Sequence, residues 1–128
     1  MATILLDTSA IFDHLNGRSG RTAYLAQLLD EGHSFGCCPV NLTEVYAGLR
    51  PGEEVRTRAF LDDLHFYPVT REIAGRAGLL RRDWREKGQT LSYTDVTIAA
   101  VALGYRLPLL TDNRKHFLMS GLQLYPLP

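Results

Sequence analysis

The stretch YTDVTIAAVAL at residues 93–103 is apolar on almost every side of the helix that its length and composition predict. A helix that lacks a polar face is normally buried on all sides. Gly104 is typical of a helix C-terminus, and the run LPLLT at residues 107–111 then predicts a short buried strand. A buried helix that leads into a buried strand indicates a layered α/β domain.

The rest of the chain repeats this alternation of apolar strands and helical segments. Short strands are predicted at residues 3–6, 34–38 and 65–69, with a last edge strand at 122–125. Because helices intervene between strands, the sequence predicts an α/β domain with a mostly parallel sheet of four to five strands that helices cover on both faces. No linker or repeat interrupts the chain, so residues 1–128 are expected to form a single domain.

Apolar residues at helical spacing mark the faces that the intervening helices are expected to bury. The clearest stripe predicts a helix that Gly88 ends, and its residues are Ile73, Ala77, Leu80 and Trp84. A further stripe predicts a helix after the break at Pro51, and its residues are Val55, Ala59, Phe60 and Leu64. Both helices are expected to cover the sheet with these faces.

Composition argues against disorder and gives no general sign of a polyanionic partner. Hydrophobic residues make up 45% of the 128 residues, and 14 Lys and Arg balance 14 Asp and Glu. The adjacent thiols of Cys37 and Cys38 are expected to be buried, since two neighbouring cysteines make neither a disulfide framework nor a zinc site. No stretch resembles a signal peptide or approaches the roughly 20 apolar residues that span a bilayer, so a cytoplasmic location is expected.

Three acidic residues stand where strands and helices meet. Asp7 follows the first strand, and Asp112 follows the strand at residues 107–111. Because the carboxyl ends of parallel strands share one edge of a sheet, these two are expected at the same edge. Asp95 opens the buried helix, whose N-terminus is therefore expected inside the protein rather than in open water.

A fourth acid, Glu44, lies on the polar side of the helix predicted after Pro39. Asn41 lies three residues earlier, on a neighbouring part of the same side. An Asn and a Glu in this arrangement could line the rim of a polar pocket. A solvated surface glutamate is the alternative.

The other acids also have local explanations. Asp7 is a good N-cap for the helix that follows it. Ser92 and Asp95 match a capping box. Asp112 and the next residue, Asn113, are common turn formers. A surface position is expected for His116.

Taken together, the acids favour a metal site at the edge of the sheet. Clustered carboxylates cannot all stay ionised without a counter-ion, and Mg²⁺ or Mn²⁺ prefers such oxygen ligands. Water bound to such an ion becomes a nucleophile that can attack a phosphodiester. Basic residues that could hold phosphates flank these positions, and they are Arg50, Arg71, Arg76, Arg81, Arg82, Arg85, Lys87, Arg114 and Lys115.

Four ordered motifs carry a resemblance to a known family. They are ILLDTS at residues 4–9, NLTE at 41–44, YTD at 93–95 leading into IAA, and LTDN at 110–113 followed by HF. With these motifs the chain resembles the PIN-domain ribonucleases, and in particular the VapC-type toxins of bacterial toxin–antitoxin pairs. The resemblance covers essentially the whole chain. It implies the Rossmann-like α/β/α sandwich of a PIN domain, Mg²⁺-dependent cleavage of RNA, a cognate VapB-type antitoxin and a tendency to form homodimers.

The resemblance also implies roles for individual residues. Asp7 and Asp95 correspond to the metal-binding acids, and Glu44 corresponds to the acid that helps to complete the site. Thr111 corresponds to a hydroxyl donor behind the ligands.

The last acidic position departs from the family pattern. Asn113 falls where many members have Asp, and Asp112 lies one residue earlier. An Asn can bind a cation through its carbonyl oxygen but brings no charge. The sequence leaves open which of the two residues faces the site, and whether a second metal ion binds.

These features predict a metal-dependent endoribonuclease that acts as a toxin. Two alternatives stay open at this point. One is a non-catalytic PIN-like module that binds protein or RNA, which the presence of all three early acids disfavours. The other is a phosphatase for small molecules, which would need a closed substrate pocket.

Overall fold

Strands and helices alternate along the chain, and a computed structural model describes all of residues 1–128. The strands are β1 (Thr3–Leu6), β2 (Ser34–Cys37), β3 (His65–Phe66) and β4 (Leu109–Leu110). The helices are α1 (Thr8–Leu15), α2 (Arg21–Asp30), α3 (Pro39–Ala47), α4 (Glu54–Asp62), α5 (Arg71–Glu86) and α6 (Tyr93–Tyr105). A short 3₁₀ helix, Arg114–His116, follows β4.

The four strands form one parallel sheet in the order β3-β2-β1-β4. The first strand is central, and its Leu5 pairs with Gly36 of β2 on one side and with Leu109 of β4 on the other. The carboxyl ends of β1 and β4 are therefore neighbours, although these strands lie at opposite ends of the chain. The predicted Rossmann-like arrangement with a parallel sheet is confirmed.

Helices cover both faces of this sheet, and each face has its own apolar core. Leu5 of β1 packs with residues of α5 and α6 on one face. Its neighbours Ile4 and Leu6 point to the other face and pack with residues of α1, α2 and α3. The middle of α6 is buried as predicted, since every residue from Ile98 to Val101 is inaccessible to solvent. Its N-terminus is not inside the protein as expected, because Tyr93 is 71% exposed. No helix of the chain is both long and apolar enough to cross a bilayer.

Two predicted elements differ from the structure. The segment 122–125 is not a strand, because only Leu124 pairs with the sheet, in a single parallel bridge to Leu109. The predicted apolar face of α4 is only partly correct. Phe60 and Leu64 pack against the core, but Val55 is 84% exposed and the buried residues of the helix are Thr57 and Leu61. The face turned to the core therefore begins at Thr57 rather than at Val55.

A close approach in the sheet requires glycine at position 36. A Cβ atom at Gly36 would lie 2.5 Å from Cε2 of Tyr67 and 3.3 Å from the carbonyl oxygen of His65. The ring of Tyr67 cannot move freely, because it packs against Tyr105 with ring centroids 5.0 Å apart. Residue 36 therefore has room for a hydrogen atom only.

We predict that Gly36→Ala lowers the free energy of unfolding by about 1–3 kcal/mol, the usual cost of overpacking. Gly75→Ala is the matched control, because Gly75 lies in α5 with nothing near its Cβ position. Alanine there should stabilise the protein by roughly 0.5–1 kcal/mol through its higher helix propensity. Urea denaturation of the two variants and the parent measures both effects. Equal stability of the two variants would contradict the steric argument.

Candidate active site

Asp7 lies at the end of β1 and is only 3% exposed. It occupies the N-cap position of α1, but its side chain makes no capping hydrogen bond. Its Oδ2 atom instead accepts hydrogen bonds from the hydroxyls of Ser9, at 2.8 Å, and Thr111, at 2.7 Å. The Asp7 amide also donates to the carbonyl of Leu110. Asp7 is therefore fixed between the ends of β1 and β4 rather than used as a helix cap.

Burial raises the pKa of the Asp7 carboxyl above its ordinary value. The hydrogen bonds from Thr111 and Ser9 partly offset this effect. The negative charge of Asp95 raises the pKa of Asp7 further, so the two carboxylates are close enough to repel each other. A cation between them would remove the repulsion and favour the ionised form of Asp7.

Asp95 lies in the first turn of α6, where the predicted capping box is only half formed. The Ser92 hydroxyl accepts a hydrogen bond from the Asp95 amide at 3.0 Å, and so caps the helix. The Asp95 carboxylate does not bond back to Ser92. Its Oδ2 atom lies 3.2 Å from Nδ1 of His116 instead. The acid is therefore directed away from its own helix terminus and towards the end of the sheet.

The position of His116 corrects the expectation that this side chain lies free at the surface. The 3₁₀ helix after β4 returns the chain towards α6 and brings the half-buried ring against Asp95. The only sequence signal was that His116 follows Asp112 closely. A cleft of about 240 Å³ opens beside this pair, and its lining is mainly polar: Gln89, Thr90, Leu91, Ser92, Asp95 and His116.

Arg81 holds the loop that leads into this cleft. Its Nε atom donates a hydrogen bond to the carbonyl of Leu91 at 2.8 Å, and its guanidinium lies 4.2 Å from the ring centroid of Tyr93. The sequence suggested a phosphate contact for this arginine. The structure gives it a second task, which is to fix the N-terminus of α6 and with it Asp95.

Asn41 is completely buried, rather than placed at the rim of a pocket. Its Oδ1 atom accepts from the amide of Cys38, and its Nδ2 atom donates to the Thr8 hydroxyl at 3.0 Å. These bonds attach the start of α3 to the start of α1. Glu44 lies one turn later on the same side of α3, half-buried and without an ion pair or hydrogen bond. Its convergence with Asp7 stays a prediction.

Asp112 and Asn113 are both at the surface of the turn after β4, with different contacts. The Asp112 carboxylate accepts a hydrogen bond from Nη2 of Arg21 at 2.6 Å. It also lies close enough to the carboxyl of Asp13 to raise the pKa of that group. The side chain of Asn113 makes no hydrogen bond, while its amide donates to Thr111 at 2.9 Å. No sequence pattern indicates Arg21 or Asp13, because 91 residues separate Arg21 from Asp112.

The buried thiols agree with the sequence prediction, and their burial keeps them protonated. Cys37 and Cys38 are both free and buried. Burial raises their pKa values to about 11 and about 12, respectively. Neither thiol is therefore a nucleophile at neutral pH.

The donor atoms around Asp7 suit a hard divalent cation. Both hydroxyl hydrogen bonds go to Oδ2 of Asp7, which leaves Oδ1 free of them. No group of three or more His, Cys, Asp or Glu side chains converges closely enough to enclose a metal. Mg²⁺ keeps several water ligands and commonly binds through one or two carboxylates. Asp7 and Asp95 fit an ion bound in that way, rather than one enclosed by protein ligands.

Comparison with known proteins gives consistent matches along the chain. Residues 4–120 match the PIN domain family. The ribonuclease VapC19 of Mycobacterium tuberculosis is 33% identical over 115 residues, which cover 90% of this chain and 92% of that protein.

Solved structures show the same fold. A chain of a toxin–antitoxin complex from Klebsiella pneumoniae superposes with a TM-score of 0.79 at 26% identity, covering 98% of both chains. A chain of VapBC2 from Rickettsia felis, in complex with a DNA fragment from its promoter, gives a TM-score of 0.81 at 22% identity, covering 96% of this chain and 97% of that one.

We predict that Asp13→Asn raises the melting temperature at pH 7 to 8 but not near pH 4. Burial, followed by the hydrogen bond and charge of Asp112, raises the pKa of Asp13 from 3.8 to about 6. The folded state therefore holds this proton more tightly than the unfolded state, and the parent loses stability as the pH rises from about 4 to about 6. Asparagine removes this loss.

Thermal melts of parent and variant across this pH range measure the difference. Asp62→Asn, which changes an exposed aspartate of α4, is the control and should show no such trend. A difference in melting temperature that is constant with pH would contradict the coupling between Asp13 and Asp112.

Proposed function

Since the chain belongs to the PIN domain family, we propose that it is a Mg²⁺-dependent endoribonuclease and the toxin of a type II toxin–antitoxin pair. The observation that carries the proposal is the buried Asp7 carboxylate, held by Thr111 and facing the charge of Asp95. Such a pair is unfavourable in an empty site and favourable around a cation. The ribonuclease activity named for the 33% identical relative supports the choice of RNA as substrate.

Asp7 and Asp95 would hold Mg²⁺, or Mn²⁺ in its place, with Glu44 and the amide oxygen of Asn113 as further oxygen donors. When bound, the ion supplies an activated water and stabilises charge on the phosphate under attack. Thr111 and Ser9 keep the Asp7 carboxylate in one orientation through their hydroxyls. These fixed contacts reduce the reorganisation that the reaction requires.

His116 and the cleft beside it provide contacts for the RNA strand. The His116 ring restrains the Asp95 carboxylate at 3.2 Å. The cleft presents an amide and two hydroxyls, from Gln89, Thr90 and Ser92, to the edges of a nucleotide. Exposed arginines of α5, such as Arg82 and Arg85, are available for the phosphates.

We predict that Asp7→Asn or Asp95→Asn lowers RNA cleavage by more than about 100-fold without unfolding the protein, since even groups behind metal ligands contribute roughly 10- to 100-fold. Each substitution removes one anionic ligand while keeping the size of the side chain. Cleavage of a labelled RNA, with and without EDTA, is the measurement. Growth inhibition on expression should be lost in parallel.

Asp62→Asn again serves as the control, because Asp62 lies exposed on α4. Full activity of the Asp7 or Asp95 variant, or cleavage that EDTA leaves unchanged, would rule out the metal mechanism. If the parent binds RNA without cleaving it, the chain is instead a non-catalytic PIN module.

An antitoxin partner and a homodimer belong to the same proposal. The similar chain from Klebsiella pneumoniae, 26% identical, comes from a toxin–antitoxin complex. An uninhibited ribonuclease would damage cellular RNA in the cytoplasm, where we place this chain. The physically simplest VapB-type inhibitor would place an Arg or Lys among Asp7, Glu44 and Asp95, where it replaces the charge of the cation.

We predict that the product of the adjacent gene co-purifies with this chain and suppresses its activity. A cation inserted at Asp7 both satisfies the buried carboxylate and blocks the RNA. The measurement is a co-expression pull-down followed by a ribonuclease assay on the complex, compared with the free chain. A complex that cleaves RNA as fast as the free chain would contradict inhibition at the site.

A further inference from the structure

Arg21 is a buried cation next to the proposed metal site. Its side chain is 3% exposed, and its Nη2 atom donates to Oδ1 of Asp112 at 2.6 Å. The other two nitrogens, Nε and Nη1, have no hydrogen-bond partner. A buried guanidinium with one hydrogen-bond partner depends strongly on the carboxylate that accepts this bond.

The backbone of Asp112 lies close to Asp7, but its carboxylate is turned elsewhere. The Asp112 amide lies 3.4 Å from the Ser9 hydroxyl, and that hydroxyl donates to Asp7 at 2.8 Å. The carboxylate accepts a hydrogen bond from Arg21 at the start of α2, and it lies near the carboxyl of Asp13 in α1. One hydroxyl group thus separates the Asp112 backbone from Asp7, while the Asp112 charge is taken up by Arg21.

The turn before α2 places Arg21 in this position. Ser19 and Gly20 adopt left-handed backbone conformations, with φ of 59° and 62°. Arg21 follows as the first residue of α2 and is buried, while the next residue, Thr22, lies exposed. A non-glycine residue in the left-handed region is unusual, so this turn requires support from the contacts that follow it.

We infer that Arg21 is a positioning residue: its guanidinium acts as a built-in cation that holds Asp112 out of the metal's ligand set and limits the site to one metal ion. This inference rests on the proposed metal site at Asp7 and Asp95. A metal ion that recruited Asp112 would remove the only hydrogen-bonded partner of the buried Arg21 guanidinium, which is strongly unfavourable. The ion pair therefore competes with the binding of a second metal ion. Asn113 is then the residue of this turn that can face the first metal ion.

A titration of the metal-free chain with Mn²⁺ tests the inference without using activity. Binding is measured through the relaxation rate of the water protons. The parent should bind one ion per chain. Arg21→Met frees the Asp112 carboxylate and should tighten Mn²⁺ binding by about tenfold or add a second ion, since affinity rises with the number of charged ligands. Arg21→Lys, which keeps the charge, should bind like the parent. The double variant Arg21→Met with Asp112→Asn should lose the gain.

The outcomes separate this inference from the proposed function. If the parent binds no Mn²⁺, or Asp7→Asn binds it equally well, the metal site itself is wrong. If the parent binds one ion and Arg21→Met binds it with the same affinity and stoichiometry, Arg21 only stabilises the fold and the inference is overturned. A parent that binds two ions overturns it as well.

A second measurement applies if Arg21→Met does not fold. The carboxyl carbon resonances of the aspartates can be followed in the parent during a Mg²⁺ titration. Those of Asp7 and Asp95 should shift, and that of Asp112 should not. A shift of the Asp112 resonance that follows the same binding curve would overturn the inference.

Discussion

The site depends on the hydrogen bond from the Thr111 hydroxyl to the Asp7 carboxylate. It joins residues 104 positions apart, and it is possible only because β1 and β4 are neighbours in the sheet. Thr111 is completely buried, so its hydroxyl must find a partner inside the protein. The Thr111 hydroxyl oxygen also accepts a hydrogen bond from the Asn113 amide, so this hydroxyl fixes the turn after β4 as well.

The arrangement of charge around this bond is uneven. Asp112 is neutralised by Arg21, and Asp95 lies against a histidine that carries charge only when protonated. Asp7 has hydroxyl donors but no cationic side chain among its hydrogen-bond partners. Asp7 is thus the buried carboxylate that has no cationic partner. The core around it excludes water, and the attraction between a carboxylate and a cation is strongest in such a low-dielectric environment.

Local patterns in the sequence were sufficient to predict the fold and the position of part of the site. The continuous apolarity of residues 93–103 correctly predicted a buried helix, and the position of Asp7 after an apolar strand correctly placed it at the sheet edge. Patterns of this kind are local, and their period reports which face is buried.

The remaining features result from contacts between distant parts of the chain. Nothing near Arg21 in sequence indicates Asp112, and nothing near Asp95 indicates His116. The face of α4 was predicted only in part, because a buried threonine such as Thr57 gives no signal in a pattern of apolar residues. The choice between Asp112 and Asn113 depends on side-chain partners that only the tertiary structure supplies.

The pairing of β1 with β4 determines when the site can assemble during translation. During translation the first strand and Asp7 emerge early, whereas Thr111 and β4 emerge only when most of the chain has been made. Strands so distant in sequence pair late, because the entropy of closing the long intervening loop opposes their contact. The hydrogen bond that fixes the Asp7 carboxylate therefore cannot form until β4 and Thr111 have been synthesised.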